Sequence, residues 1–538
     1  MPNWNIADCL EVIAPIRTDA PAIIQGAHHV SWSDLERRAR NLAAWMLEHG
    51  ATHQGKVALY TFNHPAYLEG TYAAFKAALV PINVNYRYRD EEVRYLLENA
   101  DAELVIVHEE FLPLLDHVRG GLSQLRGVLV VRDGGGSALP AWAVDYETVA
   151  MTDQPAPAVT RSGDDMLFLY TGGTTGMPKG VMWRQDDLYY RWAAGGQGNP
   201  PADMPAFGEA LTNAPLRYRS VIGPPLMHGT GWFTAMIALM SGGTVVLLDN
   251  PHKFDADQLW QVVERERPNS ITIVGDSFAK PMLRALETAA TPYDISSVVV
   301  ITSSGVMWSQ ETKQGLLQHN QKLMLVDAFS SSEAIGMGLS VTTASGVMST
   351  AKFQLGERTR LFDELLKPVE TAPGVKGLVG VGGPQPIGYY KDPAKSARTF
   401  VETPWGRFSV PGDWAIVNPD GVTLTLLGRG SVCINTGGEK VFPEEVEEVI
   451  KRFPGIVDAV VVGVPDERWG EAVTAVVSTR GARDEAALTA FVKEHLAGYK
   501  APKHVVFVDE VYRSPSGKAD FKRTKEVALS ALGARRRD

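Results

Sequence analysis

LYTGGTTGMPKGVMW, residues Leu169 to Trp183, places three threonines, four glycines and one lysine directly behind a short apolar run. Thr171, Thr174 and Thr175 offer hydroxyls, Gly172, Gly173 and Gly176 offer backbone N–H donors, and Lys179 offers an ammonium. Those are the groups that wrap a polyphosphate. A standard P-loop needs Gly-Lys followed by Ser or Thr, and Lys179 stands instead between Pro178 and Gly180. The stretch therefore reads as a flexible phosphate loop of another kind. Alone, a Gly/Thr-rich stretch is more often a plain surface loop, so its company decides.

The surrounding sequence keeps an alternating rhythm. Strand-like runs KVALYTF (Lys56–Phe62), ELVIVH (Glu103–His108) and GVLVVRD (Gly127–Asp133) alternate with helical patterns such as WSDLERRARNLAAWMLEHG (Trp32–Gly50). The rhythm returns in GGTVVLLD, NSITIVGD and SSVVVITSSG. Such alternation predicts an α/β fold with largely parallel sheets. The stretch Ala193–Ser220, rich in Gly, Pro and small residues, reads as a long loop with a short helix. Near the C-terminus, FPEEVEEVIKRF starts a helix at Pro443, with Val446, Val449, Ile450 and Phe453 on one apolar stripe. AVVVGV and AVTAVVS then read as strands, and DEAALTAFVKEHLAG as a helix opened by Asp484 and stopped near Gly498. The expected organisation is a large N-terminal domain of layered α/β subdomains over 1–428, a hinge at 429–432, and a small mobile C-terminal α+β domain over 433–538.

Composition excludes several function classes. A net charge of -10 argues against nucleic-acid binding, which needs clustered cations to neutralise phosphates. The one basic cluster is Arg535-Arg536-Arg537 at the tail. Two cysteines, Cys9 and Cys433, build no disulfide framework, and no Cys/His cluster has zinc-site spacing. MPNWNIADCLEV lacks a basic stretch followed by an apolar one, and no segment approaches the ~20 apolar residues of a membrane span. The expected location is cytoplasmic, with no transmembrane segment.

Four further segments follow the phosphate loop in order: DAFSSSEAIG (Asp327–Gly336), VPGDWA (Val410–Ala415), GRGSVCINTGGEKVFPEEVEE (Gly428–Glu448) and PSGKADF (Pro515–Phe521). In that order and spacing the five motifs resemble the signatures of the adenylate-forming, AMP-binding superfamily of acyl-CoA synthetases, luciferases and peptide-synthetase adenylation domains. The resemblance covers nearly the whole chain. It implies ATP, Mg²⁺ and coenzyme A as reactants or cofactors, with a carboxylic acid first converted to an acyl-adenylate.

That chemistry brings two anions together, so cations and fixed donors must offset their repulsion as charge shifts towards pyrophosphate. The resemblance assigns Lys179 and the threonine loop to the β- and γ-phosphates. It assigns Glu333, with Thr175, to the magnesium ion. Phe329 takes the place of the adenine-stacking tyrosine and Ser332 that of the hydroxyl near the α-phosphate; Phe-Ser-Ser-Ser-Glu stands here where the usual pattern is Tyr-Gly-x-Thr-Glu. Asp327 matches the residue that reads the adenine amine, Ser304-Gly305 the strand end bordering adenine and acyl group, and Asp413 and Arg429 the ribose contacts. Lys518 matches the catalytic lysine set between carboxylate and α-phosphate. After adenylation the small domain is expected to swing, withdrawing Lys518 and presenting the Gly437-Gly438-Glu439 loop to a thiol. Ser431 departs from the Asp or Lys that relatives often carry at the hinge.

His228, in PPLMHGTGW, resembles the residue near the acyl carboxylate. No acid occurs in MHGTGWFTAM, where amino-acid adenylation domains present an Asp, and no carrier module follows Lys518, so coenzyme A is the expected acceptor. GWFTAMIALM and SSEAIGMGLS offer apolar walls rich in Met and small residues, which suit a hydrophobic acid. GGTTGMPKGVMWR also looks like ligases that activate bulky acids, steroid side chains among them, with Ala193–Ser220 as the cap. The expected function is an acyl-CoA ligase for a medium- or long-chain or bulky acid, releasing AMP and pyrophosphate; a homodimer is left open. The rivals are transfer to a carrier protein and a non-catalytic nucleotide or acyl sensor.

Overall fold

Short β-branched runs separated by amphipathic helices pack into layers because each buries one face against the next. The helix Trp32–Glu48 shows the local logic: Ser31 caps it by accepting from the Asp34 N–H, and Trp32, Leu35, Ala39, Leu42 and Met46 line its buried face. The computed structural model describes residues 3–132, 138–173, 176–192, 200–214, 218–306, 308–346, 351–436, 439–466, 469–496, 498–514 and 517–535. The chain forms two compact units, Met1–Met348 with Gly382–Ser409, and Ser349–Val381 with Val410–Asp538.

The first unit holds two sheets that are parallel in their interiors and antiparallel at their edges. In one, the strands Met324–Phe329, Val300–Ser304, Ser270–Ile273, Arg219–Ile222, Thr244–Leu247 and Pro21–Gln25 run parallel in that spatial order. Gly338–Thr342 and His28–Ser31 flank these parallel strands antiparallel. In the other, Met166–Gly173, Val80–Asn83, Lys56–Tyr60, Ala102–His108, Gly127–Val131 and Val144–Asp145 are parallel neighbours. Gly176–Arg184 and then Gly388–Tyr389 extend it antiparallel past Met166–Gly173. The helices between the sheets are tied by charge as well as by apolar contact. Buried Arg38 binds Glu69 at 2.9 Å and Glu147 at 2.7 Å, and the Tyr146 hydroxyl donates to Glu69 at 2.7 Å.

The second unit departs from the parallel expectation. The strands Pro368–Val369, Thr359–Phe362, Lys376–Gly382, Asp413–Val417, Thr423–Arg429 and Lys352–Leu355 pair antiparallel throughout. Five further strands form the sheet foreseen near the C-terminus, with Gly470–Thr479 at its centre, Ile456–Asp466 beside it as the other arm of a hairpin, and the helices Pro443–Ile450 and Glu485–His495 packed on it. Pro443 opens its helix at the first turn and Asp484 caps the other, as their sequence signals indicate. The segment 429–432 lies inside this unit, where Gly430–Val432 forms a turn of 3-10 helix. A short helix, Met204–Asn213, occupies the stretch read as loop with helix, whose residues 193–199 and 215–217 fall outside the described residues. No helix among the described residues is long and apolar enough to cross a membrane.

Candidate active site

Ligands of open parallel sheets gather beyond the carboxyl ends of the strands. Arg219–Ile222, Val300–Ser304 and Met324–Phe329 point the same way, so the segments that follow them emerge on one side of the sheet. These segments carry His228, Gly305, Ser332 and Glu333. Ser304 donates its hydroxyl to the Ala328 carbonyl at 2.9 Å, locking the two strand ends together. Gly305 then turns with φ 97°, a left-handed conformation that a side chain would strain. Phe329 is buried at the end of its strand. Asp327 is buried beside Lys313, with which it forms an ion pair, and the Lys313 ammonium lies 5.5 Å from the Trp308 ring centroid. The sequence reading of Asp327 did not include this partner.

The segment after Phe329 folds back tightly. Met337 N–H donates to the Phe329 carbonyl at 3.0 Å, and Ser331 and Ala334 exchange backbone bonds of 2.9 and 3.2 Å. Outside contacts fix the turn. The buried Trp183 indole donates to the Ser332 carbonyl at 2.9 Å, and the Ser409 hydroxyl donates to the Glu333 carbonyl at 2.7 Å. The Tyr389 hydroxyl donates to Glu333 Oε1 at 2.9 Å. Glu333, 9% exposed, is thus a nearly buried carboxylate held by its backbone and its side chain.

On either side of the phosphate stretch the chain is paired strand. Met166–Gly173 and Gly176–Arg184 form a hairpin in which Thr171 aligns with Lys179 and Gly173 with Gly176, with a register shift between Thr171 and Gly173. Gly172 lies within the first strand, whereas Thr174 and Thr175 fall outside the described residues. The second strand is paired on its outer edge as well: Gly388 and Tyr389 align with Met182 and Val181, and the Tyr390 N–H donates to the Gly180 carbonyl at 2.8 Å. That edge brings Asp392 to Lys179, and the two form an ion pair. Asp392 also caps the helix Pro393–Thr399, accepting from the Lys395 N–H at 2.9 Å. The hydrogen bond from Lys179, helped by the Lys395 N–H, holds the Asp392 carboxyl below its ordinary value.

His228 ends a loop and precedes the helix Gly229–Met240. A Cβ on Gly229 would stand 3.0 Å from Leu169 Cδ2 and 3.5 Å from Ser332 Oγ, so the helix start, the phosphate strand and the Ser332 turn meet closely. Asn83 ties the first two together: its amide donates to the Tyr170 carbonyl at 2.9 Å and the Met227 carbonyl at 2.7 Å, and its oxygen accepts from the Tyr170 N–H at 2.6 Å. Neither Asn83 nor Tyr389, Asp392, Trp183 and Lys313 was singled out from sequence. A buried Asn closing the apolar run VPIN and the Asp-Pro helix start of YYKDP were the available signals.

The remaining candidates belong to the second unit. Asp413 opens the strand Asp413–Val417, and antiparallel register sets it opposite Arg429. The pair expected to share one ribose is therefore adjacent across two strands. Lys518 is exposed, and its carbonyl accepts from the Ser514 N–H at 2.7 Å. Gly437 and Gly438 lie outside the described residues.

Comparison with known proteins covers both units. The family model described as AMP-binding enzyme matches residues 10–390, and the model of the AMP-binding enzyme C-terminal domain matches 445–518. A medium/long-chain-fatty-acid–CoA/3-oxocholest-4-en-26-oate–CoA ligase of Mycobacterium marinum is 37% identical over 97% of this chain and 96% of its own. A 3-oxocholest-4-en-26-oate–CoA ligase of Rhodococcus rhodochrous is 37% identical over 97% of this chain and 95% of its own. The crystal structure of the anthranilate CoA ligase AuaEII in complex with anthranoyl-AMP superposes with a TM-score of 0.83 at 21% identity, covering 99% of both chains. That last likeness concerns the fold alone.

Proposed function

Because the chain belongs to the AMP-binding enzyme family, we propose that it is an ATP-dependent acyl-CoA ligase for a hydrophobic carboxylic acid, of medium or long chain or a steroid side chain. The observation that carries this reading is similarity along nearly the whole chain, at 37% identity, to relatives named as CoA ligases of those acid classes. In the first step a carboxylate oxygen attacks the α-phosphorus of ATP and the bond to pyrophosphate breaks. In the second the sulfur of coenzyme A attacks the acyl carbon, the bond to AMP breaks, and the thiol proton leaves.

The residues divide this work. Lys179 and the hairpin donors would hold the β- and γ-phosphates, Phe329 would stack on adenine, and Asp413 and Arg429 would bind the ribose. Lys518 would offset charge between carboxylate and α-phosphate in the first step. His228 and the helix start behind it, whose first-turn N–H groups carry partial positive charge, suit the acyl carboxylate. Glu333 suits Mg²⁺: it is a nearly buried, pre-oriented carboxylate, and a hard cation that arrives with a nucleotide needs only one or two protein carboxylates. Glu333, with Thr175, would hold that ion, which when bound neutralises charge on the phosphates. Residues 429–432 are the proposed hinge between the half-reactions, and Gly437 and Gly438 the proposed thiol-facing loop.

The test is mass spectrometry of the products formed from ATP, Mg²⁺, coenzyme A and a panel of short, long-chain and steroid acids. Acyl-CoA from the hydrophobic acids, absent with Lys518→Ala, is expected. Acyl-AMP without thioester would move the acceptor to a carrier protein, and preference for short acids would overturn the substrate class.

The Lys179–Asp392 pair adds a smaller expectation. ATP must compete with Asp392 for the Lys179 ammonium. A partly exposed pair is worth about 0.2–1 kcal/mol, so Asp392→Asn should lower the KM for ATP by a factor of up to about five. Steady-state kinetics at fixed Mg²⁺ check this, and a raised KM would show that Asp392 helps rather than competes.

A further inference from the structure

Five residues before Lys518 stands Arg513, and its guanidinium reaches in two directions at once. Towards the sheet, Nε and Nη2 bond both carboxylate oxygens of Asp458 at 2.6 and 2.8 Å, and Nη2 lies 3.4 Å from the Ala459 carbonyl. Towards the lysine, Nη1 donates to the Gly517 carbonyl at 3.1 Å. Asp458 lies in the strand Ile456–Asp466, which is paired along its length with Gly470–Thr479, so the anchor is part of the rigid sheet. Burial raises the Asp458 carboxyl, but the hydrogen bonds and charge of Arg513 outweigh it and hold the group below its ordinary value. The pair stays ionised through neutral pH.

The backbone around Lys518 is closed from the same side. Arg513 and Ala519 form an antiparallel bridge, the Gly517 N–H donates to the Ser514 carbonyl at 2.8 Å, and the Ser514 N–H donates to the Lys518 carbonyl at 2.7 Å. Gly517 adopts φ 76°, which a side chain would strain. The main chain on both sides of Lys518 is thereby pinned while its side chain stands exposed. A planar five-donor fork can grip a carboxylate with two N–H groups and still offer a third to a carbonyl elsewhere; a lysine ammonium cannot hold that geometry.

We propose that Arg513 is a positioning residue for Lys518: anchored on Asp458, it holds the Gly517 carbonyl and so fixes where Lys518 presents its ammonium during acyl-adenylate formation. The proposal rests on the assignment of Lys518 to that step. It makes Arg513 specific to one half-reaction, because the thioester step is the one from which Lys518 is withdrawn.

The experiment separates the half-reactions in the full chain. Arg513→Lys keeps a positive charge beside Asp458, and Asp458→Asn loosens the anchor from its other end. Both variants should slow ATP–pyrophosphate exchange by about 10- to 100-fold, the scale of an ångström-level misplacement. Both should form acyl-CoA from supplied acyl-adenylate within about twofold of the unaltered rate. Added to Lys518→Ala, Arg513→Lys should cost nothing more, since both act through one ammonium. Equal losses in the two half-reactions, unchanged exchange, or an additive loss on top of Lys518→Ala would each overturn the positioning role. Full exchange activity in Lys518→Ala alone would instead overturn the assignment of Lys518.

Discussion

Glu333→Gln is expected to slow acyl-adenylate formation by about 10²–10³-fold, the usual cost of removing one pre-oriented electrostatic partner from a transition state. The substitution is nearly isosteric, and the amide oxygen can still accept from Tyr389, so the turn from Phe329 to Gly338 should keep its shape. What disappears is the charge. The loss should therefore appear as a higher Mg²⁺ requirement in pyrophosphate exchange and as weaker MgATP binding by calorimetry, with an unchanged unfolding midpoint. Tyr389→Phe should follow the same pattern more weakly. It removes one hydrogen bond worth about 0.5–1.5 kcal/mol, or roughly two- to tenfold. If Glu333→Gln left the Mg²⁺ dependence untouched, the cation would have to be held elsewhere.

Why Tyr389 could not be found from sequence shows how the site is built. The elements whose identity depends on local pattern were legible: the amphipathic helix Trp32–Glu48, the β-branched strands Ala102–His108 and Val300–Ser304, and the helix that Pro443 opens. In each, periodicity and end signals agree. The strands that lead into and out of the phosphate stretch were less legible. Glycine is depleted in strands because it packs nothing and loses entropy, whereas the pairing of Thr171 with Lys179 and of Gly173 with Gly176 is set by the hairpin register. The contacts of Glu333 to Tyr389 and of Lys179 to Asp392 cross 56 and 213 residues of chain and leave no periodic trace. Asp413 and Arg429 were each named from motifs, but only the strand register shows that they lie opposite one another. The antiparallel strands between Lys352 and Arg429 follow one another mostly through turns, with the single helix Pro393–Thr399 among them, so the strand–helix rhythm that identified the parallel sheets does not extend to them.

Lys313→Met is expected to destabilise the first unit by about 3–5 kcal/mol, because it removes the counter-charge of a mostly buried carboxylate. The Lys313 side chain is 1% exposed and that of Asp327 is 12% exposed. Met keeps most of the aliphatic stem beside Trp308, so little of the loss should come from packing. The electrostatic origin can be isolated by neutralising the survivor. Lys313→Met combined with Asp327→Asn should recover most of the stability, since a neutral pair pays neither for desolvated charge nor for its absence. Asp327→Asn alone should be costly too, leaving the ammonium buried without its counter-charge. Denaturant midpoints read the result, with the transitions of the two units fitted separately because a chain of this size need not unfold in one step. A double variant as unstable as Lys313→Met would assign the loss to packing. Recovery would make the pair a charge balance built into the strand Met324–Phe329, so that the acid proposed to read adenine has its charge matched from within the protein before the polyanion ATP is bound.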